Sequence, residues 1–583
     1  MTTTQAPPAR PRPVDRPASR CRPRSLLRRV LAGLVLLAML AGCATMPTTG
    51  PVMAADPIFP REDRVVLVAY GPQPGATAPQ IVQGFLRAVA AGAADDFAVA
   101  REYLAGPVAQ RWDPLAQVRV YEERDELHLS QTDTGAIRVR VQAGANVDAR
   151  GRYSTSGPDT TIETDFSLAR DHTGEWRIVE LEDGVLLSPA AFDAQFASHP
   201  LYFLTHDRRM IVPEIRWFPR RNVATQIVRS LLDGPSPWLA GSVTTAFPPS
   251  TRLAVDSVVV ADGVAQVELS AEVLGIDEAQ TALVLAQLYE SLRTVPAVRS
   301  VEVRAAGTRL PAPETPPNLS PAYITRQAVA LGEDEVLAFT GAELQPAPEY
   351  LPLPSADVRG LAVPYDDAPG RSVVVLDGDL LMTVPTPEAE ATTLYVGSDL
   401  VDPSIDRHGW AWTSHRNSDG RLIAVAESGA VAEVTARWLT DAEVLALRIS
   451  RDGARAVVVW RTEDAVRAEV AGVLRDLDDA PLQLGEPIAL DEALTDVLDV
   501  AWVDEDTVAV LGAVAPGAER QVHLVGVGGR SSDLPPVPGA QRITAASGDR
   551  SLLLTTAEGE LYERNGLGWT VAATGVRDPA YPG

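Results

Sequence analysis

The chain has 583 residues, 46% of them hydrophobic, and a formal net charge of −26. That length needs several folded cores, and the acidity gives no basic footprint for nucleic acid. All 51 basic residues are arginine, so lysine-dependent phosphate loops, Ser-Lys nucleophile pairs and Schiff-base chemistry are excluded.

The first 42 residues carry eight Arg and one acid, so their loss takes the formal charge from −26 to −33. Behind these arginines lies an apolar run, Val30 to Leu40. It is too short for a permanent bilayer span and has the proportions of a secretory signal peptide. The run ends in Leu40-Ala41-Gly42-Cys43, which resembles a bacterial lipobox. That resemblance implies cleavage between Gly42 and Cys43, with S-diacylglycerol and N-acyl groups on Cys43 and anchoring on the outer face of the cell membrane. Cys21 lies in the leader, so the mature chain keeps Cys43 alone and no cysteine for a disulfide, a metal or catalysis. Residues 43–62, with Pro47, Gly50, Pro51, Pro57 and Pro60, read as a lipidated tether.

Residues 63–199 read as an α+β domain. Thr77 and Gln80 form a capping-box pattern before a helix whose inner face is Ile81, Val82, Phe85, Leu86 and Val89. A second helix is expected over residues 95–104. The period then becomes alternating, with strands at 118–121, 137–142, 161–168 and 176–181. Helices first and a meander after imply a curved, cystatin-like sheet wrapped on one helix.

Residues 200–309 read as a second α+β domain. Strands at 201–204 and 210–217 flank an Asp207-Arg208-Arg209 turn. Asn222 is the expected cap of a helix that stops at Gly234-Pro235. Asp262-Gly263 marks a hairpin between 258–260 and 264–269. A helix over 277–293 and a strand at Val301 and Val303 complete the domain.

Ser230-Leu231-Leu232-Asp233-Gly234-Pro235-Ser236-Pro237-Trp238-Leu239, Thr245-Ala246-Phe247-Pro248-Pro249 and Val295-Pro296-Ala297-Val298-Arg299-Ser300-Val301 resemble the GerM-type domain of sporulation and germination proteins. With Gly71-Pro72-Gln73-Pro74-Gly75, Val82-Gln83-Gly84-Phe85-Leu86 and the lipobox, the whole resembles the actinobacterial LpqB lipoproteins. The resemblance implies an accessory protein of the MtrAB two-component system that binds the extracytoplasmic part of the sensor kinase MtrB. Cell-envelope homeostasis is the implied output. The family has no catalytic residues to carry over, and Cys43 is its one transferable functional position.

Residues 310–321 form a proline-rich linker. Residues 322–583 read as short strands of a β-propeller with five or six blades, a pair of β-sandwiches being the alternative. The best copy is Leu447 to Trp460, a strand, a Ser450-Arg451-Asp452-Gly453 turn and an apolar strand. Further copies are centred on Asp419-Gly420, Asp504-Glu505-Asp506 and Asp549.

The sequence offers no catalytic set, no metal-ligand spacing among its seven histidines and no cofactor motif. His408 and His415, near Asp406, are the one pair whose spacing admits a shared site. Solvent-facing loop positions are the simpler account of both. Arg220-Arg221 is an anion candidate or an ordinary helix start. Trp410, Trp412, Trp460 and Trp502 are sugar-stacking candidates or core. The competing reading of the chain is an envelope glycan binder or propeller-type hydrolase. Carboxylates or histidines clustered at the central channel would favour it.

Overall fold

The computed structural model describes residues 69–583 except 93–94, 123–126, 320–326, 340–342, 356, 366–371 and 516. Cys43, Gly42, the leader and the tether lie outside the described residues.

The first domain is a sheet wrapped on the helix Ala78–Ala91. The Thr77 N–H donates to Gln80 Oε1 at 2.8 Å, closing the helix start, and the expected apolar face is buried. Across the sheet the strands run Trp176–Glu180, Thr161–Arg170, Ile137–Asp148, Gln117–Tyr121 and Val185–Leu187, the last pair parallel. Along Ile137–Asp148 every second residue, from Ile137 to Val147, is buried against the helix. The helix expected at 95–104 is only one turn, Ala98–Arg101. Asp96 and Phe97 take left-handed backbone angles, and the Tyr103 carbonyl accepts from Ile178 N–H, drawing the segment to the sheet edge.

One long hairpin, Phe196–Leu204 with Ile211–Pro219, joins the first two domains. Phe196 and Trp217 at one end belong to the first core, and Leu201–Leu204, Ile211 and Val212 at the other end to the second. The strand runs unbroken through His199 and Pro200. Beyond it lie the helices Val223–Asp233 and Glu278–Leu292 over a sheet ordered Val259–Ala261, Val264–Leu269, Ser300–Ala305, Thr308–Arg309. Asp262 and Gly263, at φ +52° and +81°, make the two-residue hairpin turn. Asp277 caps its helix, accepting from Gln280 N–H at 2.8 Å. Asn222 does not cap: it sits at φ +57°, and its backbone carbonyl, not its side chain, takes the first helical N–H groups.

The remaining chain is a propeller. Six four-stranded blades are seen among the described residues. Their innermost strands are Arg577–Ala580, Val358–Ala362, Ser404–Ile405, Glu443–Ile449, Asp496–Trp502 and Ala540–Thr544. The first blade is completed from the far end of the domain, with Arg577–Ala580 pairing Val329–Leu331. The turns at Ser450–Gly453, Asp504–Asp506 and Asp549 join first to second strands, as the repeat requires. The copy at Asp419-Gly420 is out of step: it joins the second and third strands of its blade, Trp410–Thr413 and Arg421–Ala426. The equivalent first turn there is Asp406-Arg407-His408-Gly409. The first turn has one left-handed residue, Gly409, whereas Asp419 and Gly420 are both left-handed, so an Asp with a nearby Gly does not by itself tell the two turns apart.

The second domain and the propeller share one core. Buried side chains run without a break from Leu231 and Leu288 through Trp238 and Leu239 to Val457, Val470, Val497 and Val510 of the fourth and fifth blades. At the seam the Trp238 carbonyl accepts from Gly472 N–H. A Cβ at Gly472 would lie 2.9 Å from that carbonyl oxygen and closer still to Ser242 Oγ, so the approach requires glycine. Trp217 Nε1 donates to the Gly528 carbonyl at 3.1 Å, and Arg407 pairs with Asp207 at 2.7 Å.

Candidate functional site: the propeller axis

Each blade sends one ionic side chain to the axis from its innermost strand or the residue leading into it. In blade order they are Asp578, Arg359, Asp402, Arg448, Asp499 and Arg542, so the sign alternates around the ring. Arg359 binds Asp402 at 2.7 Å, and Arg542 reaches across to Asp402 at 2.6 Å while holding Asp578 at 3.2 Å. Arg448 binds Asp499 at 3.1 Å, and Asp499 also accepts from Ile543 N–H at 3.1 Å. The Gly360 N–H donates to Asp578 at 3.0 Å.

Burial works to raise the Asp402 pKa, but Arg542, Arg448 and Arg359 together outweigh it and hold the carboxyl below its usual range. Asp499 is more deeply enclosed, and there burial wins and pushes its pKa up despite Arg448 and Arg542. Burial pulls Arg542 down, but Asp402, Asp499 and Asp578 more than reverse it. One layer along the axis, Arg451 donates to the Trp502 and Ala545 carbonyls at 2.9 and 2.8 Å. Burial lowers its pKa to about 10.

The space left inside is about 50 Å³. That admits a few water molecules, each needing about 10–15 Å³ of such space. It is far below the roughly 300 Å³ of a small-ligand pocket. The carboxylate cluster named as the mark of a hydrolase is therefore present in composition, yet each carboxylate faces an arginine in a narrow channel.

The individual candidates disperse. His408 and His415 stand at opposite ends of the strand Trp410–Thr413. His408 faces Asp479 at 3.5 Å; burial, then Arg475, lowers its pKa. His415 bonds the Ser398 carbonyl at 2.7 Å and the Tyr395 hydroxyl at 3.2 Å. Asp406 serves neither ring. Its carboxylate takes His408 N–H, Trp410 N–H, Trp412 Nε1 and Arg475 Nη2, locking the turn of the third blade. His199 is buried beside Thr294, and desolvation, then Arg220, lowers its pKa to about 4. Arg220 donates to the Asp193 carbonyl. Trp412 and Trp502 are buried under Arg475 and Arg455, and Trp410 and Trp460 are half-buried against the core that holds Trp412. Among the described residues no three His, Cys, Asp or Glu side chains are grouped to hold a metal ion.

The alternating ring escapes a search for motifs because no two of its members are close in sequence. It becomes visible when the six inner strands are aligned as Arg359-Gly-Leu-Ala, Asp402-Pro-Ser-Ile, Arg448-Ile-Ser-Arg, Asp499-Val-Ala-Trp, Arg542-Ile-Thr-Ala and Asp578-Pro-Ala-Tyr.

Three family models match in chain order. Residues 71–193 match the N-terminal domain of lipoprotein LpqB, residues 200–311 a sporulation and spore germination domain, and residues 334–582 the LpqB β-propeller domain. The chain belongs to the LpqB lipoprotein family. The LpqB of Thermobifida fusca is 28% identical, over 94% of this chain and 97% of that one. The LpqB of Streptomyces coelicolor is also 28% identical, over 97% of this chain and 98% of its own. Among solved structures, the first GerMN domain of the sporulation protein GerM from Bacillus subtilis is 19% identical. It covers 21% of this chain and 96% of that one at a TM-score of 0.18. No helix among the described residues is long and apolar enough to cross a membrane.

Proposed function

We propose that this LpqB-family chain is a lipid-anchored extracytoplasmic protein that acts by binding a sensor kinase of the MtrAB type, in its MtrB component, and biasing its signalling state. Cys43 carries the lipid, and Gly42-Cys43 is the cleavage point that exposes its amino group. The observation that supports this reading best is the continuous core from the second domain into the propeller. It makes the body a rigid block whose surfaces hold fixed relative positions, as a regulator that prefers one state of its partner requires. The narrow axis points the same way, since a propeller acting by turnover needs an open mouth. A shared membrane confines both proteins to one surface and raises their effective concentration.

Two measurements test this. Cys43→Ala moves the protein from the membrane to the soluble fraction and weakens its effect on sensor phosphorylation. The full chain, used as bait in detergent, captures the sensor kinase from solubilised membranes. Failure to capture it removes the regulatory reading.

A further inference from the structure

The three domains meet around a cleft of about 390 Å³, separate from the propeller axis. Clefts of this size at domain junctions are where ligands bind most often. Its floor is apolar, with Trp238, Ile215, Ile488 and Val527. One wall is the short strand Tyr153–Thr155, which among the described residues pairs on one side only, with Ile137–Asp148.

The free edge of that strand is built to accept another. Asp148 N–H donates to the Arg152 carbonyl at 3.1 Å and Ser156 N–H to the Gly144 carbonyl at 3.0 Å. Antiparallel pairs alternate, so Tyr153 and Thr155 turn their own N–H and C=O away from that neighbour, towards the cleft side. The opposite wall carries a second one-sided strand, Ile488–Ala489. Glu492 N–H bonds Thr155 Oγ1 at 2.9 Å and pins the two walls together at one end.

The charges facing the cleft do not cancel. Asp148 is held by Arg152 at 2.6 Å and Glu214 by Arg216 at 2.8 Å. Glu486 and Glu492 are exposed on the rim, and neither has a cation within ion-pair distance among the described residues. Two negative charges remain above an apolar floor and beside an open strand edge.

Resting on the reading of this chain as a partner-binding protein, we propose that the cleft receives an extended, arginine- or lysine-bearing segment of the partner protein, added as a strand to the edge Tyr153–Thr155. Main-chain hydrogen bonds to Tyr153 and Thr155 hold the segment, and its basic side chains meet Glu486 and Glu492. The apolar side chains between them lie on Trp238 and Ile215.

The test uses the full chain in detergent and two fluorescein-labelled peptides at low salt. One is Thr-Val-Arg-Val-Thr-Val-Arg-Val-Thr-Gly; the other has Glu for both Arg. The Arg peptide binds and the Glu peptide does not. The double substitution Glu486→Gln, Glu492→Gln weakens the Arg peptide about tenfold, the yield of two exposed ion pairs. Thr155→Pro abolishes binding by removing an outward N–H that the sheet does not use, while Thr155→Ser, which keeps that N–H and the hydroxyl that holds Glu492, stays near wild type. Equal binding of the two peptides, no binding of either, or indifference to these variants overturns the proposal. Displacement of the Arg peptide by soluble muropeptide assigns the cleft to glycan and overturns it as well. Capture of the sensor kinase separates the two readings. If the Glu486→Gln, Glu492→Gln chain captures it as well as wild type does, the cleft proposal fails and the regulatory one stands. If the wild-type chain captures none, the regulatory reading fails and the peptide measurements alone decide the cleft.

Discussion

Replacing Arg542 by leucine removes the one side chain that bridges two carboxylates across the propeller axis. Asp402 keeps Arg359 at 2.7 Å, but Asp578 loses its only ion-pair partner among the described residues and keeps the Gly360 N–H. Asp499, already raised by burial, loses a second nearby cation. Breaking a buried ion pair from one side costs about 3–5 kcal/mol, because a desolvated charge is left uncompensated. At about 2–4 °C per kcal/mol for a domain of this size, the propeller transition should fall by roughly 6–20 °C. The sign with pH is fixed by Asp402. Its folded-state pKa is depressed in the wild type, so its contribution is present above the unfolded value and is lost as pH falls through the folded one. Without Arg542 the axial carboxyls rise, and the penalty is largest near pH 7.5 and shrinks towards pH 5 as they take up protons. Thermal unfolding followed by tryptophan fluorescence at both pH values reads this directly. A midpoint within 2 °C of wild type at pH 7.5, or a penalty that grows on acidification, would refute the account of the ring as a set of mutually neutralising buried charges.

Arg530 lies over the rings of both Phe192 and Trp217, 5.4 Å from each centroid, and pairs with Asp193, so it fastens the fifth blade to the first domain. Arg530→Ala should cost about 1–2 kcal/mol and raise hydrogen exchange in the helix Pro189–Gln195 without changing the propeller core. Gly472→Ala drives a methyl group into the Trp238 carbonyl and Ser242; a loss of about 1–3 kcal/mol in denaturant titration is expected, and an unchanged midpoint would show that the seam yields. Burial, then Asp504, raises the Asp506 pKa to about 6, with Thr507 and Arg455 opposing. A raised acid costs the folded state most above pH 6, so Asp506→Asn should stabilise most at pH 7.5, with the gain shrinking as pH falls through 6 and gone only below the unfolded value of 3.8. The opposite order in thermal midpoints would sink it.

Local signals carried most of the fold. The capping box at Thr77, the Asp262-Gly263 turn and the Gly234 helix stop each depend on residues a few positions apart, and each stands where the spacing puts it. Tertiary context decided the misses. A helical period at 95–104 gave way because the sheet edge at Ile178 recruits that backbone. Asn222 offered a capping side chain but took a left-handed angle in which it does not reach. Asp419-Gly420 looked like a blade start because an Asp with a nearby Gly marks both kinds of turn. The axial ring was least legible, since its six members are 36 to 51 residues apart and each is an ordinary Arg or Asp in its own neighbourhood. The family resemblance read from residues 71–86 and 230–301 and the lipobox named the family whose models match.

The wheel is fastened by a strand that arrives last. Ala580 must find Val329, some 250 residues back along the chain, before the first blade is whole and Asp578 takes its seat beside Arg542. Contacts this remote in sequence form slowly. Until they do, the Val329–Leu331 strand stands with one bare flank, a template for mispairing with any neighbour. The first domain closes its own core within residues 81–217, but the second shares its core with the propeller and waits on it. The refolding yield should therefore be limited by ring closure rather than by the stability of the finished body.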